Sequence, residues 1–178
     1  MADLVAASKF MSFVLRHDPG AVGLVLDPEG WASVADLVAR SEGRLSEAIV
    51  RQVVAESDKQ RFALTEDGQE IRANQGHSIA VDLGLPPATP PEILYHGTAT
   101  RFVASITRDG LKPRSRQFVH LSSDVETAIA VGSRHGKPVV LRIAAGRMHA
   151  EGGEFFVSQN GIWLTKTVPV VYIGGDAA

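Results

Sequence analysis

The stretch Gly84-Leu85-Pro86-Pro87-Ala88-Thr89-Pro90-Pro91 lies near the middle of this 178-residue chain. It holds four of the nine prolines within six positions. Proline fixes φ and has no N–H to donate, so such a stretch cannot continue a helix or a central strand and tends to be extended and semi-rigid. We therefore predict two domains, residues 1–84 and 93–178, joined by a proline-rich linker at residues 85–92.

The first domain is predicted to begin with three helices. Apolar residues recur at helical spacing before Pro19, which predicts a first helix with the core face Leu4, Ala7, Met11, Val14 and Leu15. Ser33, with Asp36 three residues later, resembles a capping box that opens a second helix. Ser46 is placed to cap a third helix, whose core face would be Ile49, Val50, Val53 and Val54.

Strands complete the predicted first domain. Leu24-Val25-Leu26, followed by Asp27-Pro28-Glu29-Gly30, predicts a short strand and a turn. Residues 62–64 and 71–73, around the turn Glu66-Asp67-Gly68, predict a β-hairpin. Three helices followed by a hairpin describe a winged-helix module. Such modules often bind nucleic acid, although a fold alone does not establish a function.

The second domain is predicted to be a compact α+β domain built on a mixed sheet. Short helices are expected at residues 100–109, ended by Gly110, and at residues 124–133. The apolar stretches that predict strands are residues 93–96, 118–121, 139–143, 155–157, 162–164 and 168–173.

Composition narrows the class of protein. With 44% hydrophobic and 21% charged residues the chain is typical of a soluble globular protein, and no apolar run reaches the roughly 20 residues that span a bilayer. The first ten residues lack the pattern of a secretory signal, so we expect a cytoplasmic protein without a membrane partner. The absence of cysteine excludes disulfides, zinc–thiolate sites and thiol catalysis.

Charge is distributed unevenly along the chain. Residues 1–84 carry 8 basic and 13 acidic residues, a balance of −5, whereas residues 85–178 carry 10 and 7, a balance of +3. Any contact with nucleic acid must therefore use a local patch, for which the cluster Arg108, Lys112, Arg114 and Arg116 is the best candidate. A solvated loop explains that cluster equally well.

Cationic and imidazole side chains recur at wide intervals, at Arg16-His17, Arg61, His96, Arg116 and His120. Guanidinium groups in such a set suit a ligand that carries several phosphates. Each member also has a structural interpretation. Cations in the last turn of a helix are favoured by about 0.3–1 kcal/mol, which alone can explain Arg16-His17.

Two further stretches can be interpreted either as ligand-binding or as purely structural. His96-Gly97-Thr98 follows a strand, where glycine allows close approach of a ligand, yet such residues are as often structural hydrogen bonders. In Val119-His120-Leu121-Ser122 the alternation places His120 and Ser122 on one face of a strand, directed to a ligand or to solvent.

Several common sites are missing from the sequence. It has no P-loop and no G-x-G-x-x-G stretch, which argues against P-loop NTP hydrolysis and Rossmann-type dinucleotide binding. No two histidines have the spacing of a metal site, and we expect no metal.

Seven short motifs follow one another in order over residues 8–173. They are Ser8-Lys9-Phe10 with Leu15-Arg16-His17-Asp18-Pro19, Gly30-Trp31, Lys59-Gln60-Arg61-Phe62, Gln75-Gly76-His77-Ser78, Tyr95-His96-Gly97-Thr98, Arg116-Gln117-Phe118-Val119-His120-Leu121-Ser122 and Asn160-Gly161-Ile162-Trp163-Leu164. In this order they resemble the RNA (tRNA) 2′-phosphotransferase family. One departure is Phe118, where the family commonly has histidine; it affects neither Arg116 nor His120.

The resemblance implies an N-terminal winged-helix lobe for the RNA phosphate and a C-terminal, NAD-binding lobe of the ADP-ribosyltransferase type, joined across an active-site cleft. It implies transfer of an internal 2′-phosphate from a tRNA-like RNA to NAD⁺, through an ADP-ribosylated RNA phosphate. The products are RNA with a free 2′-OH, nicotinamide and ADP-ribose 1″,2″-cyclic phosphate. No obligate protein partner is evident.

The resemblance also implies roles for particular residues. Arg16, His17, Arg61 and Arg116 form the catalytic set, in which the arginines clamp the 2′-phosphate and His17 acts on the ribose 2″-hydroxyl. The residues implied to hold NAD⁺ are His96, Gly97 and Thr98 at the nicotinamide riboside end, with His120 and Ser122 nearby.

Two alternatives remain open from the sequence. One is NAD-dependent ADP-ribosylation of a terminal nucleic-acid phosphate, which stops after the first step. The other is a winged-helix module that binds nucleic acid without chemistry. A basic recognition helix would favour the second, but residues 46–56 carry only Arg51 against Glu47 and Glu56.

Overall fold

The structure, a computed structural model, describes residues 3–176. The chain divides into two compact units, Met1–Gly84 and Leu85–Ala178. Each unit combines α-helices with small antiparallel sheets, which confirms the predicted α+β class. No helix in the described part of the chain is long and apolar enough to cross a membrane.

From residue 3 onward, unit 1 contains three α-helices, a 3-10 helix at Pro19–Val22 and one three-stranded sheet with the strand order β1-β3-β2. The bounds of these elements are α1 Leu4–Arg16, β1 Ala32–Ser33, α2 Val34–Ala39, α3 Glu47–Ala55, β2 Phe62–Leu64 and β3 Glu70–Ala73. The two predicted caps are confirmed, because the Ser33 hydroxyl accepts from the Asp36 N–H and the Ser46 hydroxyl accepts from the Ile49 N–H. The predicted hairpin is the antiparallel pair β2–β3.

The core of unit 1 lies between the helices and the sheet. The predicted face of α1 is buried at Ala7, Met11, Val14 and Leu15, and that of α3 at Val50 and Val53. Helical periodicity in the sequence therefore identified the buried side of both helices, because burying the apolar stripe is what stabilises a short helix in a small domain.

One predicted strand of unit 1 is wrong. Leu24-Val25-Leu26 forms no strand and pairs with no other strand, and Val25 is 77% exposed. The Asp27 carboxylate accepts from the N–H groups of Glu29 and Trp31 and closes the predicted turn within the segment itself. The strand that pairs with β3 is instead β1, which follows this turn.

In its described part, residues 85–176, unit 2 contains two three-stranded sheets, with the orders β4-β6-β9 and β5-β8-β7. Main-chain hydrogen bonds of 2.8 Å in both directions between Tyr95 and Ser122 link β4 to the residue after β5. The elements are β4 Leu94–Ala99, α4 Thr100–Asp109, β5 Val119–Leu121, α5 Val125–Gly132, β6 Pro138–Ile143, α6 Ala145–Ala150, β7 Phe156–Val157, β8 Trp163–Thr165 and β9 Ile173–Asp176.

Unit 2 differs from expectation in its strands and in α6, a helix that the sequence did not predict. We expected a mixed sheet, whereas every strand pair in residues 3–176 is antiparallel. The predicted strand over residues 168–173 is wrong for most of its length, because Val170–Tyr172 forms a 3-10 turn and β9 begins at Ile173. Pro169 has no N–H for a ladder, and its carbonyl oxygen accepts from the Tyr172 N–H to close the turn.

Candidate active site

The end of α1 carries the first two predicted catalytic residues, Arg16 and His17. The Arg16 guanidinium lies 5.7 Å from the centroid of the Phe62 ring, and its Nη2 donates to the carbonyl oxygen of Arg61 over 3.3 Å. Arg16 and Arg61 are 45 positions apart in sequence, so these are tertiary contacts. The structure thus brings Arg16, His17 and Arg61 together in unit 1.

Ser78 fixes the orientation of the His17 ring. Its hydroxyl lies 2.9 Å from His17 Nδ1, and its main-chain N–H donates to the Arg16 carbonyl oxygen over 2.9 Å. The Arg16 carbonyl is one of the terminal acceptors that a helix leaves unpaired, so this second bond also closes the end of α1. The motif Gln75-Gly76-His77-Ser78 was visible in the sequence, but nothing in its spacing showed that it contacts α1.

His77 is a buried histidine beside this cationic group. It is only 2% exposed. Burial, together with the smaller effects of the charges of Arg16, His17 and Arg72, lowers its pKa from 6.5 to about 4. Within residues 3–176, its Nε2 is a buried atom with no hydrogen-bond partner. His77 is therefore neutral at neutral pH and adds no charge to the neighbouring cations.

His17 and Arg61 also line a groove of about 560 Å³ on unit 1. Its walls come from α1 and from the segment that joins α3 to β2. Two of the predicted catalytic side chains therefore lie at a cavity large enough for part of a nucleotide ligand.

In unit 2, the structure brings His96 and His120 together. His96 Nδ1 lies 3.1 Å from the carbonyl oxygen of His120. A carbonyl oxygen only accepts, so Nδ1 donates and the neutral ring keeps Nε2 as an acceptor. Burial lowers the pKa of His96, the hydrogen bond to His120 opposes that shift, and the charge of Arg114 adds to it. The His96 imidazole is therefore neutral at neutral pH.

The other candidate NAD⁺ residues of unit 2 lie on the same strands or next to them. His120 Nδ1 donates to the Phe118 carbonyl oxygen over 3.1 Å, so its ring orientation is also set by main chain. Its neighbours in β5, Val119 and Leu121, are buried, as the predicted alternation requires. Thr98 and Ser122 are polar residues with only 5% and 9% of their surface exposed.

Arg116 has a cationic neighbour that we did not predict. Partial burial lowers the pKa of Arg116, and the charge of Arg134 lowers it further. Arg134 lies in the 3-10 turn Ser133–His135, where no pattern in the sequence distinguishes it from a loop cation. Two guanidinium groups that repel each other favour an anion between or beside them.

Arg114, which belongs to the basic cluster noted in the sequence, has an unusual backbone conformation. It has a φ of +52°, which is uncommon for a residue with a side chain and often marks a functional segment. Its guanidinium lies 4.5 Å from the centroid of the Phe102 ring, and its charge acts on His96. The cluster of basic residues noted in the sequence therefore reaches the candidate NAD⁺ site at Arg114.

The departure at Phe118 has a packing explanation. The Phe118 ring lies 5.8 Å from that of Phe156, centroid to centroid, at an interplanar angle of 60°. Such tilted aromatic pairs are stabilising. An apolar ring at this position therefore packs on a neighbour that a histidine would contact less favourably.

Gly97 has a packing role in addition to any contact with ligand. A Cβ atom at this position would overlap the main-chain carbonyl of Ala128 in α5. Glycine is therefore required for α5 to lie directly on β4, the strand that carries His96 and Thr98.

No group of three or more His, Asp or Glu side chains in residues 3–176 is arranged to hold a metal ion.

Comparison with known proteins identifies the family. The model of the family described as RNA 2′-phosphotransferase, Tpt1/KptA family, matches residues 2–167. The chain belongs to this family. The resemblance drawn from the seven motifs is thereby confirmed, as is the prediction that the protein is an enzyme of the transferase class.

Curated relatives of the RNA 2′-phosphotransferase family align over almost their whole length. A protein named probable RNA 2′-phosphotransferase from Agrobacterium fabrum is 60% identical over 171 residues, which cover 94% of this chain and 92% of the relative. Proteins of the same name from Acaryochloris marina and Burkholderia lata are 56% and 53% identical. The alignment with the Acaryochloris marina protein covers 95% of each chain. The alignment with the Burkholderia lata protein covers 96% of this chain and 90% of that protein.

We predict that Gly97→Ala destabilises unit 2. The added methyl group meets main chain, which cannot move aside as a flexible side chain can, and overpacking of this kind costs about 1–3 kcal/mol. For a domain of this size the melting temperature should fall by roughly 5–20 °C, measured by the fluorescence of Trp163. Gly174→Ala on β9 is the matched control, because its Cβ would lie at an ordinary 3.5 Å from the Arg142 Cβ. Equal melting temperatures for the two variants would contradict the packing role.

We predict that His77 makes unit 1 less stable in acid. The unfolded chain binds a proton at this residue near pH 6.5, whereas the folded chain does so only near pH 4. Between these values protonation favours unfolding, so the free energy of unfolding should fall with decreasing pH by up to about 1.4 kcal/mol per pH unit. Urea titrations followed by Trp31 fluorescence, in a Trp163→Phe background, measure this slope.

His77→Asn is the control for that slope, since it removes the titrating group and leaves the carboxylates that also titrate in acid. The variant should lose less stability between pH 6.5 and pH 4.5 than the parent protein does. Parallel slopes would show that His77 titrates normally.

Proposed function

We propose that this protein transfers an internal 2′-phosphate from RNA to NAD⁺, giving RNA with a free 2′-OH, nicotinamide and ADP-ribose 1″,2″-cyclic phosphate. Family membership supports the RNA 2′-phosphate as the group transferred. The observation that carries the proposal is the grouping of Arg16, His17 and Arg61 in unit 1, with Ser78 holding the imidazole. In this proposal unit 1 acts as a winged-helix lobe for the RNA phosphate, and unit 2 as an NAD⁺-binding lobe of the ADP-ribosyltransferase type.

In the first step an oxygen of the 2′-phosphate attacks C1″ of the nicotinamide-bearing ribose. The bond from C1″ to nicotinamide breaks, and its electron pair leaves with the nicotinamide, which is thereby neutralised. NAD⁺ is consumed and is therefore a second substrate. The nucleophile is already an anion, so this step needs orientation and no general base. Arg16, Arg61 and Arg116 hold the phosphate.

In the second step the ribose 2″-hydroxyl attacks phosphorus. A P–O bond forms to the 2″ oxygen, the bond to the RNA 2′ oxygen breaks, and the proton of the 2″-hydroxyl is finally carried by the RNA 2′-OH. Negative charge grows on the phosphate oxygens, where guanidinium groups stabilise it. His17 accepts the 2″ proton, and the hydrogen bond between its Nδ1 and Ser78 orients the ring for that transfer.

The proposed NAD⁺ residues are His96, Gly97 and Thr98 at the nicotinamide riboside, with His120 and Ser122 nearby. The charge and the hydrogen-bonding groups of His96 fit the nicotinamide riboside. The lowered pKa of His96 keeps the ring neutral, so it places no positive charge beside the cationic nicotinamide ring. Its Nε2 is an acceptor suited to an N–H or O–H donor of the ligand.

An RNA oligonucleotide with one internal 2′-phosphate tests the proposal. The purified protein should remove the phosphate only when NAD⁺ is present, and ADP-ribose cyclic phosphate should be released in equal amount. A product that stops as ADP-ribosylated RNA would favour the alternative ADP-ribosyltransferase activity. RNA binding with no change in either substrate would favour a binding module without chemistry.

His17→Ala should separate the two steps. Without a group to accept the 2″ proton, we expect the second step to slow by about 10²–10⁴-fold, while the first step, which needs no general base, slows less. ADP-ribosylated RNA should therefore accumulate, as measured by electrophoresis of a labelled oligonucleotide with time.

Ser78→Ala provides a graded comparison for His17→Ala. It keeps the imidazole but removes the hydroxyl that orients the ring, so it should accumulate less intermediate than His17→Ala and more than the parent protein. If both steps slow equally in His17→Ala, the role assigned to His17 is wrong.

A further inference from the structure

The groove on unit 1 extends well beyond the two catalytic side chains that open onto it. His17 and Arg61 lie at one end, and Leu4 and Val5 at the start of α1 line it three turns further along the helix. An α-helix rises 1.5 Å per residue, so the groove follows α1 for roughly 18 Å. In the proposed two-step reaction only His17 and Arg61, at one end of the groove, have a role, so the rest of the groove has none.

The apolar side of the groove contains an exposed aromatic ring. Phe13 is 45% exposed and Val5 is 64% exposed, although both belong to the helix whose opposite face forms the core. Phe10, on the same helix, lies beneath the Arg44 guanidinium at 5.1 Å from the ring centroid and does not line the groove. Phe13 thus offers a flat apolar surface, one helical turn before His17.

The polar side of the groove is rich in hydroxyl and ammonium groups. Ser8, Ser12 and Ser57 supply hydroxyls, and Lys9 and Lys59 supply positive charge. The carboxylates of Glu56 and Asp58 also line it, so the groove has both signs. A groove of mixed sign is poorly suited to a duplex, whose binding depends on many phosphate contacts. It fits a short single-stranded segment that is recognised by stacking and a few hydrogen bonds.

The end of the groove formed by His17 and Arg61, which is proposed to receive the 2′-phosphate, indicates which ligand the rest of the groove binds. An internal 2′-phosphate sits on a ribose that is joined through its 5′ and 3′ oxygens to further nucleotides, so RNA must continue away from the transferred phosphate. The residues proposed for NAD⁺ all belong to unit 2, whereas the groove is built from residues 4–61. A volume of about 560 Å³ accommodates a nucleotide and is within the range of ordinary ligand sites.

We propose that this groove binds the nucleotide next to the 2′-phosphorylated one in the RNA substrate, and that the base of this neighbour stacks on Phe13. The proposal rests on the proposed function, because it takes His17 and Arg61 as the end of the groove that receives the phosphate. It makes Phe13 a residue that contributes to RNA affinity, separate from the residues that carry out the transfer.

A double-mutant cycle between protein and RNA tests the stacking. Five-nucleotide RNAs with a central 2′-phosphate are prepared intact, with an abasic 5′ neighbour, or with an abasic 3′ neighbour. Dissociation constants for the parent protein and Phe13→Ala are measured by fluorescence anisotropy without NAD⁺. Phe13→Ala should weaken binding of the intact RNA by about tenfold. One of the two abasic RNAs should bind the parent protein about tenfold more weakly, yet bind Phe13→Ala no worse than the intact RNA does.

Three controls accompany this cycle. Phe13→Trp should retain tight binding, since it keeps an aromatic surface. Val25→Ala removes a 77% exposed apolar side chain of the same unit that does not line the groove, and it should not change the dissociation constant. Thermal unfolding should show that Phe13→Ala is folded, as expected for a side chain outside the core.

The results separate this proposal from the proposed function. If Phe13→Ala changes the dissociation constant of the intact RNA by less than twofold, the stacking proposal is wrong. It is also wrong if Phe13→Ala weakens binding of both abasic RNAs by the same factor as it weakens binding of the intact RNA. Turnover of the intact RNA with NAD⁺ is measured in parallel. If the parent protein shows no turnover, the proposed function is wrong, while the binding cycle, which needs no NAD⁺, still decides whether the groove holds a neighbouring base.

Discussion

The candidate site of unit 1 depends on the contact between the end of α1 and the segment that follows β3. The main-chain N–H of Ser78 pairs with the Arg16 carbonyl oxygen, and its hydroxyl meets the His17 ring. A helix end leaves carbonyl groups unpaired, and Ser78 satisfies one of them from a distant part of the chain. The same residue therefore closes the helix with its main chain and positions the imidazole with its side chain, so the end of α1 and the His17 ring are held from one point of the chain.

Both units keep histidines neutral beside guanidinium groups. Burial lowers the pKa of His77 near Arg16, and of His96 near Arg114. A neutral imidazole close to an arginine costs less electrostatic energy than a charged one, and it retains an unprotonated nitrogen as an acceptor. The positive charge of the candidate site is thus carried by arginines, whose protonation does not change in the physiological range, which suits a site for phosphate groups.

Local patterns predicted much of the fold. The caps Ser33 and Ser46 and the apolar stripe of α1 depend on interactions within one or two helical turns, so they are readable from neighbouring residues. The predicted strand at residues 24–26 is wrong because strand formation requires a partner strand, and the Leu24 N–H instead donates to the carbonyl oxygen of Pro19. A partner is a property of the tertiary fold, which short apolar stretches do not encode.

By itself the sequence determined the family, the α+β class and the caps of α2 and α3, because these follow from residue types and their order. The candidate catalytic and NAD⁺ residues stay predictions, and α6 was not predicted. Only the tertiary structure decided that Ser78 meets His17, that His77 is buried, that Arg134 acts on Arg116 and that Phe13 faces a groove. Most of these are contacts between residues far apart in sequence. The burial of a side chain and the pKa of a histidine depend on every element packed around it, and no local pattern in the chain contains that information.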